Sequence, residues 1–516
     1  MGPVRVTARL LTSLMTLLVV TSLLPSTLGC KDTSICRFSC CTAVPNCDEA
    51  KQIDCVCPVL DEMILTPDSI PAGTTSLSIS KVSNLTIGGH SFHRLNSLIH
   101  FTVSDIGAVI IGRKGMSLHP KNVLRIFIAR RVESLNVDEH GLTGKWQTEP
   151  EQTTIIFEEI KELNIASRGL SYATSESDEG LTVRISNIAT LSLASKAFDA
   201  RIRDLLLENV SMPQCHMGTF ENKIHSLELN KVTILDVKTR CFNSVGEHGN
   251  GLDCGVHITN STLGTVKSQA FSGNITNIKL DQKTLVGKVN KHGFQVQAKD
   301  FIVKNSKIDT LSSKSLSVTC KKTFAIKDVS IGRLRTDAFK DVRAVRQSVP
   351  TVSLESLEVG VAEPGSLSFQ RCLCVDASKL HIQLSDEEKC PTEQWARRIL
   401  GVTDQQALYW EIRQLYQSLR ESSSGCDKNG EPQLTTAVED ESCPYPDDAE
   451  EVVESGVSGE ETSEGVISDE KRPSGQNETG SSGGVSACWK WAAIVLMVVV
   501  VVAVVAVMFA LKMCTF

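Results

Sequence analysis

The chain has 516 residues, of which 41% are hydrophobic and only 5% aromatic, and its formal net charge is −7. The charge is uneven, because residues 429–470 carry fourteen Asp or Glu and no Lys or Arg, which leaves residues 30–428 at about +2. A body so close to neutral lacks the basic composition of a nucleic-acid-binding domain. We therefore expect no nucleic-acid partner.

The first 29 residues are typical of a secretory signal. Arg5 and Arg9 form a charged start, residues 10–24 are apolar, and small residues precede Cys30. An uncleaved membrane anchor is the alternative, but the apolar run is short and the helix breaker Pro25 follows it. We expect the mature protein to begin near Cys30.

The cysteine content is typical of a secreted protein, with 18 cysteines in the chain. Sixteen lie before the acidic segment ends, cluster towards the two ends of that region, and are candidates for disulfides that brace terminal caps. They are Cys30, Cys36, Cys40, Cys41, Cys47, Cys55, Cys57, Cys215, Cys241, Cys254, Cys320, Cys372, Cys374, Cys390, Cys426 and Cys443. Zinc binding at Cys55 and Cys57, or at Cys372 and Cys374, is the alternative, but a single intervening residue is too short for a zinc knuckle. We predict no metal and no cofactor.

An apolar pattern repeats through the middle of the chain. Counting from Leu229 or from Ile258, apolar or small residues recur at offsets of three, five, eight and thirteen. The same offsets fit roughly twelve units, each 22–29 residues long, although the units beginning near Ala129 and at Leu280 fit less well. The short alternating apolar runs predict strands, and a repeat of this length predicts a solenoid. We therefore expect a mainly β, parallel β-solenoid over residues 71–370, after a Cys-rich cap at 30–70.

Two kinds of solenoid compete. The units ending in Ala270-Phe271 and Ala338-Phe339, and the segment 70–79, resemble extracellular leucine-rich repeats. Yet offset three, where that family places an asparagine, is never Asn here. Asn or Asp instead precedes it by one residue in several units, for example at Asn187 and Asn209, which suits a tight left-handed turn and resembles the parallel β-helix family. We favour a right-handed β-helix-like coil over a degenerate leucine-rich repeat.

The region after the repeats predicts a small helical cap at residues 371–426. One helix is expected over residues 391–400, ending at Gly401, and a second from residue 403 or 404 to about residue 420. The apolar face of the second helix either seals the last coil or forms an exposed surface for self-association or a partner.

The rest of the chain reads as a stalk and an anchor. Residues 427–488 are acidic and rich in Ser and Gly, so we expect a disordered stalk. Residues 489–511 contain twenty apolar residues, enough to span a bilayer, and 512–516 would be the cytoplasmic tail. This predicts a type I single-pass plasma-membrane protein. A lipid-anchor signal beginning near residues 481–484 is the alternative.

Five sequons are candidate N-glycosylation sites in a secretory context. Their asparagines are Asn84, Asn209, Asn260, Asn274 and Asn477. Because glycans need solvent, occupied sequons would mark a flank of the solenoid that is not the binding face.

The sequence contains no recognisable catalytic motif. His90 and His93 are spaced so that a strand would place them on opposite faces, which argues against a shared metal. Arg113, Lys114, Arg125, Arg130 and Arg131 suggest a basic patch that is either a solvated flank or a contact for a sulfated glycan or acidic partner.

These observations predict a non-enzymatic cell-surface glycoprotein whose solenoid binds an extracellular protein or glycan. The alternatives are a membrane-anchored, glycan-active β-helix enzyme, which would need carboxylates on consecutive coils, and a structural surface-coat protein.

Overall fold

The computed structural model describes residues 34–118, 124–145, 153–173, 181–221, 223–246, 254–345, 348, 350–370, 373, 375–383, 393–402 and 417–419. The predicted signal segment, stalk, membrane span and tail lie outside these residues, as do Cys30, Cys372, Cys374, Cys390, Cys426, Cys443 and Asn477. Within the described residues, no helix combines the length and the apolar character that crossing a membrane requires.

The described chain is mainly β-structure. The strands of its first half are β1 (Cys41–Val44), β2 (Gln52–Val56), β3 (Glu62–Leu65), β4 (Ser76–Ser80), β5 (Asn84–Ile87), β6 (His100–Ile111), β7 (Met116–Ser117), β8 (Ile126–Val137), β9 (Leu142–Lys145), β10 (Thr154–Ile165), β11 (Leu170–Ala173), β12 (Leu181–Leu193) and β13 (Ile202–Cys215). Those of its second half are β14 (Ile224–Val237), β15 (Phe242–Asn243), β16 (Gly255–Thr259), β17 (Thr262–Val266), β18 (Phe271–Asn274), β19 (Asn277–Asp281), β20 (Leu285–Val289), β21 (Phe294–Leu311), β22 (Leu316–Leu334), β23 (Arg343–Ala344), β24 (Thr351–Ala362), β25 (Val375–Ser378) and β26 (His381–Ile382). A 3-10 helix spans Ile35–Arg37 and an α-helix, α1, spans Glu393–Leu400.

The strands form a parallel β-solenoid, as the sequence predicts. Apart from the antiparallel pair β1–β2, the strand pairings among the described residues are parallel. These pairings form two sheets, one of 23 strands and one of three strands. One coil shows the plan: the first half of β14 pairs with β16, its second half with β17, and β15 pairs with β18. We name these three surfaces face A, face B and face C, in the order in which the chain meets them. About twelve coils repeat the plan.

The repeat offsets correspond to side chains inside the solenoid. The residues at offset three are buried in eleven of the twelve units. These are Val82, Ile106, Val132, Ile160, Ile188, Val210, Val232, Ser261, Ser306, Val329 and Leu357. Where the residue at offset three is a serine, its buried hydroxyl group forms a local hydrogen bond. Ser306 Oγ, for example, donates to Lys304 O at 2.6 Å.

The unit beginning at Leu280 fits poorly because it contains one extra residue. Gln282 and Lys283 both have positive φ and both are exposed. Thr284 therefore takes the buried place, and its Oγ1 donates to Asp281 O at 2.6 Å. The pattern resumes one residue later with Val286.

Face B contains two consecutive outward-facing residues in the described coils, and the position of this outward pair changes midway. In the early coils two outward residues directly follow the first buried one, so that Val109 rather than Ala108 lies inside. From β13 onwards the outward pair comes one step later, as at Leu235 and Asp236 between buried Ile234 and Val237. Because the outward pair comes later in β13 than in β12, the buried and outward side chains of these two strands are out of step just beyond Ile188 and Val210.

The register break, an early end of the ladder on face B, falls between β12 and β13, and the same ladder also shifts register between Leu181 and Thr182. Their pairing continues only as far as Ile188 and Val210, although both strands extend further. Pro213 lies just beyond that point and has no N–H to donate to a neighbouring strand.

Face C is lined inside by a column of phenylalanines at offset thirteen. Phe198, Phe220, Phe242, Phe271 and Phe294 stack with centroid distances of 6.1, 5.2, 4.3 and 4.4 Å. All five are at most 2% exposed. Because aromatic rings supply large apolar area, this stack fills the interior along five successive coils.

Both ends of the solenoid are covered. Cys36–Cys47, Cys40–Cys57 and Cys41–Cys55 are disulfides around β1 and β2, and β2 is already paired in parallel with β4. At the other end, α1 buries Trp395, Ala396, Ile399 and Leu400. The helix ends at Gly401, whose φ of 70° provides the left-handed termination expected from the sequence. Of the second predicted helix only residues 417–419 are described, and they are helical.

Candidate functional site

Each coil turns twice through left-handed backbone. The first turn joins face A to face B at offset two, where the sequence predicts Asn or Asp. Six of its residues with positive φ are Asp105, Asn187, Asn209, Asn260, Asn305 and Asp328. The prediction of left-handed geometry at these residues is confirmed.

The second turn joins face B to face C at offset eleven and has a different composition. Its left-handed residues are His90, Lys114, His140, Arg168, Lys196, Gly218, Arg240, Gln269, His292, Lys314, Asp337 and Gly365. A continuous series of backbone hydrogen bonds fixes them in one line. From His90 to Asp337, each N–H donates to the carbonyl of the corresponding residue in the next coil, at 2.7–3.1 Å, and Gly365 N–H donates to Arg398 O at 2.8 Å.

The side chains on this line are mostly basic. We define the basic edge as Lys114, His140, Arg168, Lys196, Arg240, His292 and Lys314. Carboxylates lie near three of them, with Arg168 Nε 3.8 Å from Asp199 and His292 Nδ1 3.9 Å from Asp341, and His140 Nε2 3.7 Å from Glu139.

The other four members of the basic edge carry free charge. Lys114, Lys196, Arg240 and Lys314 form no ion pair with any other residue that the structure describes, and the first three are exposed. The near-neutral net charge of the body is therefore compatible with a local line of cations at this turn.

The composition of the basic edge is unfavourable for the backbone. Positive φ is easiest for Gly, and next for Asn, Asp and His. Both turns depart from that preference. The first has Lys or Arg at positive φ at Lys81, Arg131, Lys231, Lys283 and Lys379, and the second at Lys114, Arg168, Lys196, Arg240 and Lys314.

The basic patch predicted from the sequence is not a single surface. Arg113 and Lys114 lie at the second turn, but Arg130 and Arg131 lie at the first, and Arg125 precedes face A. The prediction of one patch is therefore wrong, because residues close in sequence follow the chain around different corners. Sequence reasoning missed the basic edge, although offset eleven of the same repeat would have revealed it.

One basic residue of the first turn, Arg131, is paired with an acid in the preceding coil. Arg131 donates to Asp105 from Nε at 2.6 Å and from Nη2 at 2.9 Å. This bidentate hydrogen bond lowers the pKa of the Asp105 carboxyl. Similar side-chain contacts join other coils, such as Asn209 Nδ2 to Asn187 Oδ1 at 2.9 Å.

Asp281 is the most enclosed carboxylate of the first turn. It accepts hydrogen bonds from Gln282 N at 2.7 Å and Asn305 Nδ2 at 3.1 Å, and Lys304 Nζ lies 3.0 Å away. Burial acts to raise the pKa of the Asp281 carboxyl, but the three donors outweigh it and the pKa is lowered.

Replacing Asp281 with asparagine is expected to destabilise the protein by about 1–3 kcal/mol, because it loses charge-assisted hydrogen bonds. A lowered pKa stabilises the fold above the unfolded value of about 3.9, and this stabilisation is lost as the pH falls through the folded value. The difference in free energy of unfolding between the two proteins should therefore be constant near neutrality and shrink below about pH 4. Urea titrations at several pH values measure it, and a difference that does not change with pH would contradict the assignment.

Four predicted glycosylation sites are described, and all four side chains are exposed. Asn209 and Asn260 lie at the first turn, Asn84 begins β5 on face B, and Asn274 ends β18. None of the four lies on the basic edge. Their glycosylation stays a prediction.

The described cysteines are only partly paired. Cys215–Cys241 is a disulfide between neighbouring coils, in addition to the three at the N-terminal end. The candidates Cys254 and Cys320 are free thiols, which corrects their assignment as disulfide partners. Cys320 points into the solenoid, where burial raises the pKa of its thiol.

Two arrangements resemble metal sites. The sulfurs of Cys40, Cys41 and Cys57 lie within 4.8 Å of one another, but all three belong to disulfides, and disulfide sulfurs are not thiolate ligands. The rings of His90 and His93 are 6.0 Å apart because both residues lie in a turn. The expectation that they occupy opposite faces is wrong.

Comparison with known proteins finds no family model, no curated protein and no solved structure that matches the chain.

Proposed function

We propose that this chain is a non-enzymatic cell-surface glycoprotein whose solenoid binds an extracellular protein or glycan. The observation that carries the proposal is the basic edge, a line of cations held at fixed spacing on the outside of a filled solenoid. The interior is occupied by aliphatic and aromatic columns, so the outer faces and turns are the surfaces offered to a partner.

The proposed placement follows from the sequence. A secretory signal at 1–29, the stalk at 427–488 and the apolar segment at 489–511 describe a type I single-pass protein of the plasma membrane, with a lipid anchor as the alternative. The four disulfides among the described residues fit an oxidising compartment.

We also propose that the coil belongs to the right-handed parallel β-helix type rather than to leucine-rich repeats. The support is the left-handed Asn or Asp between two strands in the first turn, at the predicted offset.

Surface display of the full chain tests the proposal. Intact cells that express it should be stained by an antibody against residues 71–370 and should adhere to other cells or to a panel of immobilised glycans. A chain lacking residues 71–370 but keeping the signal, stalk and anchor is the matched control for adhesion. The absence of staining on intact cells would contradict the placement. Staining with adhesion no greater than the control would contradict recognition.

Release by a phospholipase specific for lipid anchors distinguishes the two attachments. A single-span protein should stay with the cells, whereas a lipid-anchored protein should appear in the medium.

A further inference from the structure

The basic edge has the dimensions of a track rather than of a pocket. Parallel strands lie about 4.8 Å apart, and eight coil steps separate Lys114 from Lys314. The cations are therefore distributed over roughly 40 Å along the solenoid axis. Gly218 and Gln269 interrupt the line of charges but not the line of backbone hydrogen bonds. These hydrogen bonds run from His90 to Gly365.

The side chains beside the cations add hydrogen-bond donors. In several coils the residue just before the left-handed one is an exposed hydroxyl residue, as at Ser167, Thr239 and Ser268. Lysine supplies a compact cation, and arginine supplies a planar fork that matches sulfate or carboxylate oxygens. Alternating cations and hydroxyls suit a chain that carries both anionic groups and sugar hydroxyls.

We propose that the basic edge binds a linear sulfated polysaccharide laid along the solenoid axis. The inference rests on the proposed function and names its ligand class. A thin polyanion can follow a convex corner over many coils, whereas a globular acidic protein would need a broad complementary face. The described asparagines of the sequons lie elsewhere, so glycans attached there would leave this edge open.

The edge is less suited to nucleic acid. Single-stranded nucleic acids are bound by cations together with aromatic side chains on which the bases stack. Among the described residues of the second turn between Gly112 and Ala338 there is no Phe, Tyr or Trp.

Heparin binding to the full chain in detergent micelles tests the inference, with fluorescently labelled heparin as the probe. The edge variant replaces Lys114, Lys196, Arg240 and Lys314 with glutamine. The control variant also introduces glutamine, at four exposed residues of the first turn: Lys81, Lys231, Lys283 and Lys379. All eight residues have positive φ, so both variants remove four charges at the same type of backbone position.

The edge variant should bind heparin about tenfold or more weakly near physiological salt, and its affinity should depend less steeply on salt concentration because fewer counterions are released. The control variant should stay within about twofold of the natural chain. Longer oligosaccharides should bind more tightly than short ones until they cover the edge. Unchanged urea midpoints would show that both variants are folded.

Three results would overturn the inference. Equal losses in the two variants would show non-specific charge attraction, and no loss in the edge variant would place the site elsewhere. Chemically desulfated heparin and single-stranded DNA of matched charge serve as competitors of the labelled heparin. If either competes as well as unlabelled heparin does, the ligand class is not a sulfated polysaccharide. Adhesion of displaying cells is measured separately, so cells that adhere without binding heparin would overturn this inference while leaving the proposed function intact.

Discussion

Replacing Phe271 with alanine is expected to lower the free energy of unfolding by about 3–5 kcal/mol. The ring is fully buried and stacks between Phe242 and Phe294, with centroids 4.3 and 4.4 Å away. Truncation leaves a cavity between two coils, and parallel strands on either side restrict how far the coils can collapse into it. Urea unfolding of the full chain in detergent, followed by the circular dichroism of the strands, measures the loss.

Phe271→Leu is the matched control for this prediction. The same column contains Leu316, which pairs with Phe294 in the next coil, so the position accepts a branched aliphatic side chain. Leucine removes less buried volume than alanine does, so this variant should lose clearly less stability than Phe271→Ala. If the alanine variant were no less stable than the leucine variant, the stack would not be the source of stability that we assign to it.

Replacing Gly264 with alanine is expected to destabilise the fold by about 1–3 kcal/mol, although it adds only one methyl group. Gly264 is the first residue of the outward pair on face B. A Cβ there would lie 2.3 Å from Leu235 O and 3.0 Å from Leu235 C, which belong to the backbone of the preceding coil. That backbone is held in a parallel ladder and cannot move aside alone.

Gly73→Ala is the control for Gly264→Ala. The Cβ of an alanine at residue 73 would meet only Lys51 Nζ at 3.4 Å and Ala50 O at 3.9 Å, and the lysine is free to move. This variant should be neutral or more stable by about 0.4–1 kcal/mol, because alanine restricts the unfolded chain. Equal urea midpoints for the two alanine variants would show that close approach of the coils does not select glycine.

Much of the fold follows from the periodicity of the sequence. A repeat of buried offsets requires that successive coils stack, so Leu229 and Ile258 predict their own pairing, which the parallel ladder between β14 and β16 confirms. The left-handed first turn was predictable because Asn209 and Asn260 are residue types that tolerate positive φ. The prediction that offset five is buried is wrong in the early coils. There the outward pair directly follows offset three, so Val109 rather than Ala108 fills the interior.

The candidate site was harder to predict than the fold. The patch inferred from Arg113 and Arg131 treated nearness in sequence as nearness in space, whereas the chain carries the two residues to different corners. The basic edge combines residues more than twenty positions apart, such as Lys196 and Arg240, which charge clustering along the sequence does not detect. The two free thiols were also unpredictable, since pairing depends on which columns Cys254 and Cys320 occupy.

The register break between β12 and β13 divides the solenoid mechanically. Stability in a stacked array is the sum of coil stabilities and contacts between neighbouring coils, so the weakest junction decides where the array separates under load. On face B that junction lacks the ladder that joins the other coils, and Cys215–Cys241 braces the coil just beyond it. We expect a load along the solenoid axis to separate the coils at this junction before it separates neighbouring coils that keep the face B ladder.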